Sequence, residues 1–551
     1  PDARDTPDGP QAPDAPDAQD AVGGERGMIP RRHFERRSDR RRSDRPRSDV
    51  RSDDQPSERG PSEGRQSERR QLRHAQRVSL AMVGAVAAVL VGVALIDAAT
   101  PSPAVPAAIT PVAAIAPVDA QSSSWYCVGG GNTAGQGHFA VVFTNVSSQA
   151  VQGTMTVVGT SGPPHVTAVS IAPHSENFVG PPAGVSGKWL AARVDLSGGG
   201  VAVAQTVQGN SGWSQVPCVT STSTNWYFAS GSTSGGRSLA TEVYNPTTTT
   251  AVVNLSFVTT SGVVQPEPYQ GIVLPPGALV VESVGSLVQN RDLVATTVTT
   301  KSGRVVASVL EADPKKATSG LSLSLGASSP ERHWVIPSTT NAPGSTVLLD
   351  VLNPNTTTEH VTVSFHLPAG PVSPISANVA GGAVWQLALS SQTRIPASVD
   401  YVTKVQSDGG GVVVGRTIQA SAGAAPRSGT FSGIETPSEQ GQGSGSNWLL
   451  FAPGAATNPV VPQARVAAIE IANPGTSAVT ATVEDLGAQG FSEVAHGTQL
   501  SVPAGGLRVF EPSSLTPLTF QVLGSGPLVV SEDLQPTATP GVVNVQGIPT
   551  G

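Results

Sequence analysis

The chain has 551 residues, including 60 Gly and 47 Pro; 13% of its residues are charged and its net charge is -7. This length is several times that of a single domain, for which about 100–150 residues is usual, so one core for the whole chain is not expected. A composition rich in Gly, Pro, Val, Thr and Ser but poor in charge argues against a mainly helical protein and favours short strands joined by turns.

The charges concentrate in the first 77 residues. Residues 1–25 hold seven acids and one Arg, whereas residues 26–77 hold 17 Arg and nine acids. Residues 36–70 have almost no apolar side chains and cannot offset the entropy cost of folding, so residues 1–77 are predicted to form a disordered Arg-rich tail. The tail is interpreted mainly as a solvated topology determinant, with anionic lipid or phosphorylation as alternatives. Nucleic acid is not expected as a partner, because no aromatic platform or folded reader accompanies the Arg residues.

An apolar run follows the tail. Residues 78–96 are 19 residues without a charge, bounded by Arg77 and Asp97, and as a helix they would span roughly 28 Å, about one hydrocarbon core. A buried core helix and a cleavable secretory signal are the alternatives, but the run is apolar on all sides and longer than the apolar part of most signals. The prediction is an uncleaved transmembrane signal anchor in the cell membrane, with the N-terminus cytoplasmic and the C-terminal bulk extracytoplasmic.

Residues 97–124 form a stretch rich in Pro, Ala and Ser, with a Pro every few positions. Such a stretch favours extended polyproline II, at about 3.1 Å per residue. It is predicted to be a stalk between the membrane and the domains that follow.

The remainder of the chain is an internal repeat with a period of about 100 residues. Its successive copies begin at Trp125, Trp226, Trp334 and Trp448. Each Trp is followed 19 to 25 residues later by a turn that starts with Asn145, Asn245, Asn353 or Asn473. Asn can hydrogen-bond its own turn, and the Pro that follows three of the four Asn residues presets the turn dihedral, so a strand reversal is expected here.

Runs that alternate apolar and polar residues follow each Asn turn. Each repeat then ends on a glycine-led strand, with its closing Val 56 to 60 residues after the Asn: Val201, Val305, Val412 and Val529. Six or seven short strands per repeat predict an all-β fold of four tandem immunoglobulin-like β-sandwich repeats. A propeller with two unlike blades per repeat is the alternative. The predicted boundaries are 125–220, 221–330, 331–425, a linker at 426–446, and 447–551.

One Trp recurs per repeat at the same phase. This regularity favours a place in the core of the repeat, or at the seam with its neighbour, for Trp125, Trp226, Trp334 and Trp448. A platform that stacks on carbohydrate is the alternative role.

The motifs of the second repeat carry a family resemblance. "NWYFASGST", "YNPTTTTAVVNLSFVTTSG", "LPPGALVVE" and "GRVVASVLE" resemble tandem surface repeats of actinobacterial envelope proteins that read Trp-Tyr-x-Ala-x-Gly, then Asn-Pro, then Pro-Val-Val-Ala. The layout of Arg-rich tail, single span, Pro stalk and "WYC" opening is similar to a membrane-anchored family described only as a domain of unknown function (the 5719 type). The resemblance covers residues 125 to about 535 and implies no catalysis. It departs at Asn145-Val146 and at "HWVIPS".

The chain has two Cys residues, and both belong to the first repeat. Cys127 lies beside the opening Trp and Cys218 lies just past the closing strand. An even number of Cys outside the membrane favours a disulfide, which stabilises by about 2–5 kcal/mol mainly through the unfolded chain. Two buried thiols are the alternative, and redox chemistry is not expected without a CxxC motif.

No constellation for catalysis, cofactor binding or metal binding is recognised. A GxSxG motif is absent, and the nine His residues lack metal-ligand spacing. His360 and His366 are interpreted as surface residues. The acids that precede three of the Asn turns are interpreted as strand-edge or turn residues, with weak Ca²⁺ binding as a lesser option: Glu242, Asp350 and Glu470.

These features together predict a non-enzymatic envelope protein. Four stacked sandwiches outside the membrane would offer edges and loops to a cell-wall glycan or an envelope protein. An accessory subunit of a cell-envelope polysaccharide assembly or export system is the alternative. An unrecognised hydrolase or transferase is the third possibility.

Overall fold

The computed structural model describes residues 113–132, 137–314, 320–420, 429–432, 434–435, 445–452, 464–513, 519–536 and 543–550. They all belong to the second of the chain's two compact parts, Pro103–Gly551. They form β-strands with three short 3-10 helices, Glu267–Tyr269, Val284–Ser286 and Leu389–Ser391. The predicted tail at 1–77 and the predicted span at 78–96 lie outside the described residues. No described helix is long and apolar enough to cross a membrane.

Four sets of strands, called units 1 to 4 below, follow one another along the chain. Unit 1 contains β1 (Ser123–Gly131), β2 (His138–Asn145), β3 (Val151–Gly159), β4 (His165–Ile171), β5 (Ser175–Val179), β6 (Trp189–Leu196), β7 (Val201–Gly209) and β8 (Gly212–Pro217). Unit 2 contains β9 (Asn225–Phe228), β10 (Ser238–Tyr244), β11 (Ala251–Thr259), β12 (Gly262–Val264), β13 (Ile272–Leu274), β14 (Leu279–Ser283), β15 (Val294–Ser302), β16 (Val306–Asp313) and β17 (Gly320–Leu325).

The other two units have the same succession of strands. Unit 3 contains β18 (His333–Thr340), β19 (Ser345–Asn353), β20 (Glu359–Leu367), β21 (Gly370–Val379), β22 (Ala383–Ala388), β23 (Asp400–Ser407), β24 (Val413–Ala420), β25 (Gly429–Ser432) and β26 (Ile434–Glu435). Unit 4 contains β27 (Gly445–Phe451), β28 (Ala464–Ala472), β29 (Val479–Gly487), β30 (Gly490–Glu493), β31 (Leu500–Val502), β32 (Leu507–Phe510), β33 (Thr519–Pro536), β34 (Val543–Gln546) and β35 (Ile548–Pro549).

Each unit pairs its strands in one recurring order. In unit 2 the first sheet runs β12-β11-β15-β9, with β13 also on β11, and the second runs β14-β10-β16-β17. The corresponding sheets of unit 3 run β21-β20-β23-β18-β26 and β22-β19-β24-β25. In unit 1 a single bridge between Gly131 and His138 joins the two sheets. In unit 4 the long strand β33 serves both sheets, since it pairs with β27 and β29 at one end and with β28 at the other.

The two sheets of each unit share one apolar core. In unit 2, Trp226 and Leu255 come from the first sheet, Leu239 and Val306 come from the second, and all four are buried in one cluster. Alternation along a strand points every second side chain into this core, as on β11. The all-β prediction is therefore confirmed, and the sheets pack face to face as in a sandwich.

The four units close into a ring. One strand near the end of each unit contacts its counterpart in the next unit: β8 contacts β17, β17 contacts β25, β25 contacts β34, and β34 contacts β8. Apolar side chains fill the space where units 1 and 2 meet there: Val207, Leu310, Leu321 and Leu323. The sequence predicts stacked sandwiches, but it does not show this closure, which joins units 1 and 4 across more than two hundred residues of chain.

Two predicted boundaries differ from the structure. Residues 97–124 are predicted to be a stalk, yet Ile115 is buried and bridges to Thr550, while the Gly200 amide donates to the Ala116 carbonyl at 2.9 Å. The stretch 426–446 was assigned to a linker, yet it contains β25 and β26, which pair with β24 and β18 of unit 3. The described residues of both stretches, 113–124, 429–432, 434–435 and 445–446, lack an alternating apolar pattern, so only their pairing identifies them as parts of the ring.

Candidate functional site: the interfaces of the ring

The four repeat Trp side chains lie in the cores of their units. Their exposed fractions are 0% or 1%, so none can stack on a carbohydrate from solvent. In units 2 to 4 the indole N–H ties the first strand to the closing strand, through Trp226 Nε1 to Val305 O at 2.9 Å, Trp334 Nε1 to Val412 O at 2.8 Å, and Trp448 Nε1 to Leu528 O at 3.1 Å. In unit 4 the closing position is thus Leu528, one residue before the Val529 chosen from the sequence. Trp125 Nε1 has no hydrogen-bond partner among the described residues.

The four Asn residues are buried and make the same bonds in every unit. Each Nδ2 donates at 2.7 or 2.8 Å to the carbonyl four residues on, that of Gln149, Thr249, Thr357 or Ser477. Each Nδ2 also donates to the end of a later strand or turn, at Ile171, Leu274, Val379 or Val502. Each Oδ1 accepts the N–H two residues on, from Ser147, Thr247, Asn355 or Gly475. Asn145, Asn245, Asn353 and Asn473 therefore fix the turn and fasten it to a neighbouring strand.

The predicted disulfide between Cys127 and Cys218 is present. It joins β1 to the residue that follows β8, where Tyr126 and Val219 bridge the same two segments. The bond therefore closes the first unit across its two ends.

Other units fill the same place with a large side chain over a glycine. In unit 2, a Cβ added to Gly326 would lie 2.8 Å from Cζ of Phe228, and in unit 4 a Cβ added to Gly547 would lie 2.9 Å from Cδ2 of Leu450. These contacts leave no room for a side chain on the glycine. The disulfide of unit 1 is thus one of two solutions to the same packing problem.

The acids before three Asn turns are buried between units, so their interpretation as edge or turn residues is wrong. Glu242, Asp350 and Glu470 occupy equivalent places in units 2, 3 and 4, with exposed fractions of 0% or 1%. The Gly130 amide of unit 1 donates to Glu242 Oε1 at 3.0 Å, and Ser230 Oγ of unit 2 donates to Asp350 Oδ2 at 2.6 Å. The cause is ring formation, which covers this strand position with the end of the preceding unit's Trp strand.

The interface of units 2 and 3 holds further charged groups. Gln386 Nε2 donates to Asp350 Oδ1 at 2.9 Å, and Arg237 lies 3.7 Å from Glu311 and 3.1 Å from Asp313. Burial raises the pKa of Asp350 to about 6, against the hydrogen bonds from Ser230 and Gln386. Burial raises the pKa of Glu311 to about 7, and the Arg237 guanidinium opposes that rise. An arginine thus partly balances the acids of this interface.

A buried guanidinium lies at the interface of units 3 and 4. Arg416 is 1% exposed, and its Nη1 donates to Thr339 Oγ1 at 3.1 Å within unit 3. Its Nη2 donates to Asn544 Oδ1 of unit 4 at 3.0 Å. Asn544 Nδ2 then donates to Glu470 Oε2 at 2.8 Å and to Asp533 Oδ1 at 2.9 Å. One cation and two acids are therefore joined through a single amide.

The same interface explains a histidine that was interpreted as a surface residue. A Cβ added to Gly505 of unit 4 would lie 2.8 Å from Nε2 of His366, so the ring packs against the glycine backbone. Burial, and then the positive charge of Lys404, lower the pKa of His366. Lys404 Nζ donates to the Pro474 carbonyl of unit 4 at 3.0 Å. His360, by contrast, is exposed.

Units 4 and 1 close the ring through apolar and polar contacts. Leu449, Phe451 and Ile548 of unit 4 belong to the buried cluster of unit 1, and Trp213 of unit 1 belongs to that of unit 4. Gln215 Nε2 of unit 1 donates to the Phe451 carbonyl at 2.9 Å. These contacts connect cores that are far apart in sequence.

Two acids complete this closing interface. The Phe451 amide donates to Glu532 Oε1 at 3.0 Å, and Thr519 Oγ1 of unit 4 donates to Glu176 Oε1 of unit 1. Glu532 is buried. Burial raises its pKa to about 8, the Phe451 N–H opposes the rise, and the charges of Glu176 and Asp533 add to it.

Glu242 has the same kind of surroundings as Glu532. Burial raises its pKa to about 8, and the N–H of Gly130 opposes the rise. In both side chains the second oxygen, Oε2, has no hydrogen-bond partner among the described residues. A buried, half-partnered carboxyl group is far more stable when it carries a proton than when it carries a charge.

The tips of the Asn turns lie on the exposed surface of the units. The third to fifth residues after each Asn are exposed, carry no charge and mostly bear hydroxyl groups: 148–150, 248–250, 356–358 and 476–478. The Asn side chain holds each tip through its backbone. The tips therefore form four similar, pre-ordered and uncharged surfaces.

No group of three His, Cys, Asp or Glu residues in the part of the chain that the structure describes could hold a metal ion. The polar residues that matter to the architecture were only partly visible in the sequence. An acid three residues before Asn recurs in units 2 to 4, inside a strand of mostly apolar or small residues, and this pattern could have indicated burial between repeats.

Comparison with known proteins finds a family model that matches part of the chain and a solved structure of low similarity. The model of a family of unknown function (DUF5719) matches residues 191–426, from β6 of unit 1 to just past β24 of unit 3. No curated protein matches the chain. A crystal structure of a tetra-tandem repeat in the extending region of a large adhesion protein is 11% identical, covers 78% of this chain and 100% of its own, and has a TM-score of 0.11.

Proposed function

We propose that this protein is a non-enzymatic component of the cell envelope. Residues 1–77 would lie in the cytoplasm, residues 78–96 would cross the membrane, and the ring would stand outside and bind a neutral wall glycan. The proposal depends on where the polar groups lie. The recurring Asn and acidic side chains are buried within and between the units, whereas the exposed turn tips are uncharged and rich in hydroxyl groups. We also propose that each unit is an immunoglobulin-like sandwich, given its size and strand number.

The disulfide supports the outward location of the ring. Cys127 and Cys218 are bonded, and structural disulfides persist mainly in oxidising compartments. The Arg-rich tail supports the orientation, because such segments stay on the cytoplasmic side.

The turn tips support a glycan as the ligand. Hydroxyl groups donate and accept hydrogen bonds with sugar hydroxyls, and a neutral surface neither attracts nor repels charged competitors. Since the Asn side chain orders each tip in advance, little entropy is lost when the tip binds.

A binding experiment with the full-length protein in nanodiscs tests this proposal. Wall polysaccharide immobilised on beads should retain the protein, and replacing Thr248, Thr249 and Thr250 by Ala, together with 356–358, should weaken retention at least several-fold. Thr260→Ala, at another exposed hairpin, serves as the matched control and should bind like the wild type. Retention that is unchanged in the tip variant would contradict the proposal. Capture of a membrane glycosyltransferase without any polymer binding would favour an accessory role in polysaccharide assembly or export.

A further inference from the structure

Two buried glutamates at opposite interfaces of unit 1 have matching surroundings. Glu242 of unit 2 receives the Gly130 amide of unit 1 at 3.0 Å, and Glu532 of unit 4 receives the Phe451 amide at 3.0 Å. Each therefore has one oxygen on a backbone N–H and a second oxygen without a partner in the described part of the chain. Because Gln215 of unit 1 holds the Phe451 carbonyl, both carboxyl groups sit where unit 1 meets a neighbour.

The strands around Glu242 offer no counter-charge. Ser308, directly opposite on β16, is neutral, and its hydroxyl group also has no partner among the described residues. The titratable groups on the packed strands are Tyr126 of β1, Glu282 of β14, and Glu311 and Asp313 of β16. The last two are engaged with Arg237. A charge on Glu242 would therefore be buried without compensation.

Two acids on the surrounding strands act on Glu532. Glu176 of β5 and Asp533 of β33 both disfavour its charged form. Glu470 on β28 accepts Ser531 Oγ at 2.7 Å, and Arg465 on the same strand donates to Gln535 at 3.1 Å. Ionisation of Glu532 would thus place like charges of units 4 and 1 against one another.

We infer that protonated carboxyl groups of Glu242 and Glu532 hold unit 1 in the ring, and that loss of both protons to solvent base opens the ring on both sides of unit 1. The other two interfaces contain Arg237 and Arg416 among their acids, so they stay closed under the same conditions. The ring then opens at a defined place, and the released unit is the one that carries the disulfide.

Four equivalent exposed positions allow the opening to be measured. The third residue after each Asn can be changed to Cys, in pairs, and spin-labelled in the full-length protein: Ser148, Thr248, Thr356 and Thr476. Electron-spin distance measurements from pH 6 to pH 10 should show loss of the short-distance population for the pairs 148–476 and 148–248. The pairs 248–356 and 356–476 should keep their distances.

The variant with Glu242→Gln and Glu532→Gln separates the proposed cause from general unfolding. Gln keeps the shape and the acceptor oxygen but cannot ionise, so the labelled unit 1 pairs should stay close at pH 10. Unchanged distances in the wild-type ring up to pH 10 would overturn the inference. So would opening of the Gln variant at the same pH, or simultaneous opening of all four label pairs.

Discussion

Buried acids have different partners at different interfaces of the ring. The contrast is between the interface of units 3 and 4 and the two interfaces of unit 1. All three bury acids that recurring strands place between sandwiches. Units 3 and 4 bring Arg416 and Asn544 to those acids. At the interfaces of unit 1, Glu242 receives one backbone N–H from Gly130 of unit 1, and Glu532 receives one from Phe451 of its own unit 4. Copies of one repeat can therefore be joined either through buried charged groups or through neutral carboxylic acids. The stability of these two kinds of interface should respond to pH in opposite directions.

The largest expected effect is at the charged interface. Arg416→Met should lower the free energy of unfolding by about 3–5 kcal/mol, because it removes the guanidinium linked through Asn544 to two buried acids. Urea unfolding at neutral pH measures the loss. Arg394→Met, at an exposed arginine of the same unit, is the control and should cost little. A loss below about 1 kcal/mol for Arg416→Met would mean that the charge does not matter at this interface.

The second expected effect concerns the disulfide, which belongs to the unit whose interfaces contain neutral carboxylic acids. Replacing Cys127 and Cys218 by Ser should lower the free energy of unfolding by about 2–4 kcal/mol. Cys127→Phe with Cys218→Gly copies the Phe228 and Gly326 pair of unit 2 and should recover part of that loss. Thermal unfolding without reductant compares the two variants. If the copied pair is no better than the Ser pair, the two arrangements are not equivalent solutions.

The pH dependence sharpens the comparison at the neutral interfaces. Glu242 and Glu532 keep their protons in the folded protein up to a pH of about 8, because burial raises their pKa, but release them near the ordinary value of 4.5 when unfolded. The folded state binds more protons in that window, so stability should fall as the pH rises from 5 to 8. Glu242→Gln should flatten this fall and stabilise the protein at pH 8 by on the order of 2 kcal/mol.

Calorimetry of both proteins at several pH values makes this measurement. Glu267→Gln changes an exposed acid of the same unit, and it should leave the slope intact. A wild-type protein that gains stability between pH 5 and pH 8 would show that other groups dominate.

The smallest expected effect concerns a single donor at the charged interface. Lys404→Met should destabilise by about 0.5–1.5 kcal/mol, because the Pro474 carbonyl loses its hydrogen bond from Nζ at 3.0 Å. Lys301→Met, at an exposed strand end, should be neutral in the same unfolding assay. An equal effect of the two substitutions would show that Lys404 does not stabilise this interface.

Much of each unit could be predicted from the sequence because its determinants are local. The Asn residues bond to carbonyls four residues on, so their turns follow from neighbouring residues alone. The pairing of Cys127 with Cys218 followed from their number and their place in one repeat. The Trp residues were expected in a core or a seam, and the structure places them in the cores because both sheets cover them.

The surroundings of Glu242, Asp350, Glu470 and His366 could not be predicted in the same way. Each lies on a strand whose outer face would be solvated in an isolated sandwich. The adjoining unit buries the three acids and half-buries His366. The closing position of unit 4 also differs by one residue from the expected Val529, since Val529 pairs with Ala472 rather than with Asn473.

The amino-acid sequence by itself determined a strand-built repeat, its Asn turns, its Trp cores and its disulfide. These depend on alternation and on contacts within about a hundred residues, which leave a periodic record in the chain. The arrangement of the four units in a ring, with acids between them, is visible only in the tertiary structure. Contacts such as Gln215 with Phe451 and Ile115 with Thr550 join residues hundreds of positions apart, and no local pattern encodes such a meeting.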